Sequence, residues 1–317
     1  LDRVRRALER SLGEEVILVL PPHEEPALVR ARQRGAGARF AAPGPTICVL
    51  DAARYGRDVA SWEMLHQRGL AAGPGDGRYV ADLWFEHVEA ASLIVIAEHD
   101  APEDTRIALR CLLSGVAPAA RVCSEAELDG LLQEISAGAL PPPARPVWSR
   151  ALASHGESTL GGAPARAFAF RARAPFHPTR FARWLDGDRA GAVRAKGRLW
   201  LAHRPEDALG FSQSGAVARL FQLGTWWAAT PRSRWPLQPG QREQILAHWD
   251  PRFGDREQAL AFVGPALDAA RLRAELSRCL LNPDEQARGV AAWARLPDPL
   301  ALAHARPGRP WSLTAFT

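Results

Sequence analysis

The sequence predicts an α/β chain in two parts, a partial parallel sheet at the front and a smaller α+β domain behind it. Three observations lead there. Short, wholly apolar runs alternate with helical periodicity in the first half, a Pro- and Gly-rich break interrupts the middle, and the second half runs through several strand-like segments with helices at their ends. At 317 residues, 47% of them hydrophobic, the chain can build more than one core.

In order along the chain, residues 2–12 place Val4, Leu8 and Leu12 on a helical period, with Gly13 as a stop. Residues 16–20 (VILVL) are uninterruptedly apolar, as a strand covered on both faces of a parallel sheet should be, and Pro21 and Pro22 end the run. Residues 46–50 and 93–96 read as two further strands of this kind. Helical patterns at 84–90 and 102–113 alternate with them, which implies right-handed crossovers. Residues 138–146 (GALPPPARP) and the small, polar stretch 151–165 mark a boundary. The expected organisation is therefore a first domain over 1–137, a linker over 138–165, a second domain over 166–300 and an irregular tail over 301–317. Within the second domain, 166–173, 197–203, 216–223 and 258–263 read as strands, and 178–185 and 268–281 as helices.

Charge divides the chain the same way. Through residue 137 there are 15 Arg against 21 Asp and Glu, a balance of −6, whereas the remainder has 25 basic against 14 acidic residues, a balance of +11. The basic charge is almost all Arg, since Lys196 is the sole lysine. A basic half suits an acidic protein partner better than nucleic acid, because no base-stacking motif interleaves with the arginines. Cys48, Cys111, Cys123 and Cys279 contain no Cys-x-x-Cys pair, so buried free thiols are expected in preference to disulfides or a thiolate metal site. No apolar run is long enough for a membrane span and no secretory leader is recognisable, which places the chain in the cytoplasm by expectation. It opens on Leu1 and its one methionine is Met64, so a natural start upstream is expected.

Three ordered segments carry a family likeness: residues 173–181 (RAPFHPTRF), 193–201 (VRAKGRLWL) and 250–258 (DPRFGDREQ). Two later ones, 279–281 (CLL) and 293–299 (WARLPDP), complete it. In order and spacing they resemble the C-terminal domain of CobW-type proteins, the metallochaperone family of P-loop GTPases. More faintly, residues 49–54 and 81–121 resemble the back part of that family's GTPase domain. The resemblance implies a P-loop-like nucleotide-binding domain joined to a partner-binding domain, with GTP, Mg²⁺ and Zn²⁺ as its ligands and a client metalloenzyme as its partner, in proteins that deliver zinc or cobalt.

The residues that such chemistry needs are largely absent from the sequence. A P-loop requires Gly-x-x-x-x-Gly-Lys-Ser/Thr, and the one lysine lies in the second domain; the family's Cys-x-Cys-Cys metal motif, which follows the P-loop, is absent from this sequence too, and by the resemblance Leu1 falls just after that point. Val19, read as buried, stands where the resemblance expects an acidic residue near Mg²⁺, with only Glu25 and Pro26 kept beyond it. The guanine-reading Asn-Lys-x-Asp aligns with Ala97, Glu98, His99 and Asp100, which leaves Asp100 as the single remnant of base recognition. No catalytic residue and no metal site is assigned: His23, His99 and His155 do not show ligand spacing, and His177 reads as a turn residue. Trp226 and Trp227, neighbours on an expected strand and so facing opposite ways, offer a candidate partner surface, while Trp200 reads as core. Two functions follow from the resemblance: a GTP-binding metallochaperone, here a fragment or divergent member with impaired nucleotide chemistry, and a non-enzymatic interaction module, a pseudo-GTPase acting through its basic second domain.

Overall fold

A computed structural model describes residues 19–35, 44–136, 139–140, 142–154 and 166–300. These form two compact units, one built mainly from the chain up to Val147 and the other mainly from Trp148 onward.

The first unit contains a three-stranded parallel sheet in the order β1 (Ile47–Asp51), β2 (Leu93–Ala97), β3 (Arg121–Ser124). Ile47 pairs with Leu93 and Leu93 with Arg121, and the register runs on without a break. Leu93, Ile94, Val95 and Ile96 are fully buried, which is why the central strand has no polar face to alternate. Helix α1 (Pro26–Gly35) precedes the sheet; α2 (Tyr55–Val59) and α3 (Val80–Glu89) lie between β1 and β2, α4 (Glu103–Val116) between β2 and β3, and α5 (Leu128–Ser136) after β3. Val80, Leu83, Trp84, Phe85 and Val88 give α3 its buried side. Glu103 and Asp104 place negative charge in the first turn of α4, where the helix dipole favours it. Leu128, Leu131 and Ile135 pack against Leu93, Val95 and Cys123.

The strand expected at 16–20 falls mostly outside the described residues, as does the helix expected at 2–12. Val19 and Leu20 are described, lie in no strand, and Val19 is 49% exposed, which corrects its reading as a buried side chain. Strand β3 was not foreseen, because it has only four residues and begins on an exposed arginine.

In the second unit five strands stand in the order β4 (Arg166–Ala172), β8 (Gln258–Gly264), β5 (Arg194–Leu201), β6 (Arg204–Ser214), β7 (Val217–Thr225). Strand β8 runs antiparallel to both β4 and β5, and all seven of its residues are buried. Helices α7 (Pro178–Leu185) and α9 (Ala269–Cys279) supply Phe181, Trp184, Leu272 and Leu276 to a core shared with Phe168, Phe170, Phe211 and Phe262. Phe176 stacks on Phe181 at 4.7 Å, and Trp184 meets Phe262 edge-on at 5.9 Å, arrangements that the ring quadrupoles favour. Pro178 opens α7 where no N–H is needed, and Asp268 caps α9 by accepting from the Arg271 amide at 2.9 Å.

Two elements depart from expectation. Within the stretch read as linker, Val147–Ala153 form helix α6, whose Trp148 is buried with the Lys196 ammonium 5.1 Å from its ring centre. The eleven-residue β6 is the other; its polar start, Arg-Pro-Glu-Asp, and Gly210 hide a strand that sheet pairing enforces. The remaining connections form α8 (Pro239–Ala247), α10 (Pro283–Ala287) and α11 (Val290–Trp293).

Gly197 lies in β5 where a Cβ would collide with the Ala259 carbonyl of β8. Gly197→Ala is expected to cost about 1–3 kcal/mol, because two paired backbones must part to admit a methyl group. Gly240→Ala, at an α8 position with open space around it, should be neutral or slightly stabilising. Thermal unfolding of the two variants side by side checks both.

Candidate functional site

Ligands of open α/β sheets sit beyond the carboxyl ends of the strands. In the first unit those ends bring Asp51, Glu98, His99, Asp100, Ser124 and Glu125 to one edge. Most of this edge is already engaged within the chain. Asp51 accepts from the Ala53 amide at 2.9 Å, Glu98 accepts from Arg110 at 2.9 Å with Arg106 3.9 Å away, and His99 Nε2 lies 2.8 Å from Glu125. Glu127 accepts from the amide and hydroxyl of Ser124 at 2.7 and 2.9 Å, and the backbone bond above all holds its carboxyl below the usual range. Asp100 differs: it is exposed, adopts a left-handed backbone at φ 57°, and has no hydrogen bond or ion pair among the described residues.

One open carboxylate can accept from a base N–H pair, and the residues next to it depart from the guanine-reading set. Ala97 offers no side-chain amide, and Glu98 presents negative charge where a lysine aliphatic stem would cover the base. The described residues of this unit contain no lysine to meet phosphate. A zinc site fares no better: among the described residues, no three or more His, Cys, Asp or Glu side chains are arranged to hold a metal ion. His23 and Glu24 contribute backbone carbonyls instead, to Arg78 at 2.8 Å and to His87 Nε2 at 3.0 Å; His155 lies outside the described residues.

In the second unit the family-like segments converge. The Phe176 amide donates to the Trp200 carbonyl at 3.2 Å and the Ala202 amide returns to Phe176 at 3.0 Å, so residues 175–177 lie along the end of β5. On the other side His177 N–H donates to Cys279 at 2.8 Å and Leu281 N–H to Pro175 at 2.9 Å. Arg180 then locks the corner with two bonds to Glu285, at 2.8 and 2.7 Å, and one to the Leu280 carbonyl at 2.8 Å. The Arg180 guanidinium holds the Glu285 carboxyl down to about 2, whereas burial pushes the Cys279 thiol up to about 11. Cys279 is therefore a neutral, packed thiol and not a ready metal ligand. The His177 imidazole is pushed below its ordinary pKa, by burial first and by the nearby Arg180 charge second.

The 250–258 segment is equally structural. Asp250 accepts from the amides of Arg252 and Phe253 at 2.8 and 2.9 Å, while Gly254 closes the turn at φ +69°. Asp255 is buried and caps the turn beginning at Trp227, accepting from the Trp227 and Ala228 amides at 3.0 and 2.8 Å. The tryptophan reading needs correction at this point. Trp226 is fully buried and donates to the Asp207 carbonyl at 2.8 Å, so it cannot serve a partner surface. Strand β7 ends at Thr225, so side-chain alternation does not govern the pair; Trp227 is half-buried and packs 6.1 Å from Trp235.

Residues 165–280, which hold this framework, match the cobalamin synthesis protein cobW C-terminal domain, so the chain carries a domain of CobW type. A Dictyostelium discoideum protein named zinc-regulated GTPase metalloprotein activator 1 is 27% identical over 266 residues, 81% of this chain and 56% of the relative. A protein of Mycobacterium tuberculosis (strain ATCC 25618 / H37Rv) named a zinc chaperone is 30% identical over 240 residues, 73% of this chain and 57% of the relative. The chain thus spans little more than half the length of these curated relatives. The Zn(II)-bound YjiA GTPase from E. coli aligns with 81% of this chain and 68% of that one, at 14% identity and a TM-score of 0.31. No helix among the described residues is long and apolar enough to cross a membrane.

The Arg180–Glu285 pair makes a pH prediction. Because the folded carboxyl titrates below its unfolded value, its contribution is complete above about pH 4.5 and is lost as pH falls toward about 2. Glu285→Gln is expected to cost about 1–3 kcal/mol at neutral pH and to flatten the acid limb of the stability profile. Denaturant unfolding of both proteins between those pH values measures it.

Proposed function

We propose that this chain belongs to the zinc-handling machinery as part of a CobW-type metallochaperone, with impaired nucleotide chemistry in its first unit and a client-binding role for its basic second unit. The observation that carries the reading is the match of residues 165–280 to the CobW C-terminal domain, with its ordered segments meeting in one packed corner. The names of the two curated relatives favour zinc over cobalt as the cargo. Impairment is supported by the guanine-reading positions: Ala97 replaces the amide, and the Glu98 carboxylate is drawn to Arg106 and Arg110. Of that set, Asp100 alone keeps an open acceptor. The same positions favour the second reading, a pseudo-GTPase that works purely as an interaction module.

Calorimetry of the chain with Mg²⁺ and GTP is expected to give no saturable, GTP-selective binding tighter than about 10 μM; such binding would overturn the impairment. In the source cells, loss of the protein should slow growth under zinc chelation, with relief by added zinc and not by cobalt. Normal growth under chelation would remove the zinc role and leave the interaction module.

A further inference from the structure

The long connection from β7 to β8 gathers positive charge without balancing it. Arg232, Arg234, Arg242 and Arg252 lie on it, and none has a carboxylate partner among the described residues. The four acids of the same connection do not answer them: Glu243 is exposed, Asp250 and Asp255 accept from turn amides, and Glu257 pairs with Arg171 and Arg198. Three of the arginines lie over aromatic rings, Arg252 over Phe253 at 5.0 Å and the other two over tryptophan. The Arg232 guanidinium lies 5.0 Å from the Trp235 ring centre and 5.9 Å from that of Trp249, and Arg242 lies 5.9 Å from Trp235. Trp235 is itself fixed, buried, packed 5.4 Å from Trp249 and bonded through Nε1 to the Thr230 carbonyl at 3.1 Å.

Two guanidinium planes thus share one indole, about 11 Å apart at most by the two centroid distances. At low ionic strength, where the screening length reaches about 30 Å, the two charges act together on an incoming anion. Stacking restrains each fork while leaving its N–H edge available, and a restrained fork fits a carboxylate with two parallel bonds. Apolar surface flanks the charge. Leu237 is 93% exposed, and α8 buries Ile245 alone while Leu246 is 44% exposed. Nucleic acid is the poorer fit, because bases need open aromatic faces and the Trp235 ring is buried beneath the arginines.

We propose that this connection docks an acidic, extended segment of a partner protein, its carboxylates taken by Arg232 and Arg242 and an apolar side chain by Leu237 and Leu246. The inference rests on the reading of the second unit as client-binding, and needs neither zinc nor nucleotide.

The test titrates the full chain, in EDTA and without nucleotide, with a capped peptide of repeated Glu-Glu-Leu, read by tryptophan fluorescence. Saturable binding that weakens with salt is expected, at least about tenfold weaker in the Arg232→Gln/Arg242→Gln variant. Arg232→Lys/Arg242→Lys keeps the charge but loses the planar fork, and should still bind several-fold more weakly. Leu237→Ser should lower affinity for this peptide and not for one of repeated Glu-Glu-Ser. Arg278→Gln/Arg295→Gln, at exposed positions elsewhere on the unit, should change nothing. No binding, an equal loss in this last variant, full affinity in the lysine variant, or tighter binding of a thymidine oligonucleotide of equal charge would overturn the proposal. Because metal and GTP are excluded, a negative result here leaves the zinc role standing, and loss of the zinc phenotype leaves this surface standing.

Discussion

The second unit depends on one buried carboxamide. Gln258 is fully buried at the start of β8; its Nε2 donates to the carbonyls of Ala174 and Trp200 at 2.9 and 3.0 Å, and its Oε1 accepts from the Trp200 amide at 3.1 Å. With these three bonds it joins β8 to β5 and to the segment that enters α7. An amide buried without them would cost about 1–3 kcal/mol for each unpaired group, so the three backbones are constrained to meet where they do. Once Ala174 is placed there, Phe176 can bond to the end of β5, His177 can reach Cys279, and Arg180 falls within reach of Glu285.

This explains why the most recognisable segments of the sequence are not a reactive centre. Arg180, Asp250, Asp255 and Gln258 are spent on backbone groups and on Glu285, and the low pKa of Glu285 and the high pKa of Cys279 are consequences of a closed framework. The sheet edge of the first unit is the opposite case. Asp100 has an open carboxylate, while the described side chains beside it, Glu98 and His99, have turned to Arg110 and Glu125.

Legibility from sequence followed the physics of each element. The strand at 93–96 was readable because burial on both faces writes an unbroken apolar run, the one at 46–50 because Cys48 and Leu50 are buried while Ile47 and Val49 pack half-buried, and the helix ending at Cys279 because Leu272, Leu276 and Cys279 keep a helical period on its buried side. Strand β6 was not readable, since its polar residues are tolerated by neighbours that only the fold supplies. Trp226 and Trp227 misled for a related reason: the chain leaves the strand just before them, and alternation ceases to apply. The stacked arginines left a faint trace, Arg recurring close to Trp235 and Trp249, but a pairing across seven to seventeen residues has no periodicity to announce it.

Lys196, the only lysine in the chain, lies on β5 with its ammonium over the Trp148 ring of α6. Amine chemistry on the side chains of this protein is therefore a one-position experiment. An acylating reagent reads the one ε-amine of this chain, beside the Trp148 indole, so the rate of its modification reports on the surroundings of that ring. A protein this rich in arginine and this poor in lysine carries, without engineering, a single-site probe at the entrance to its second unit.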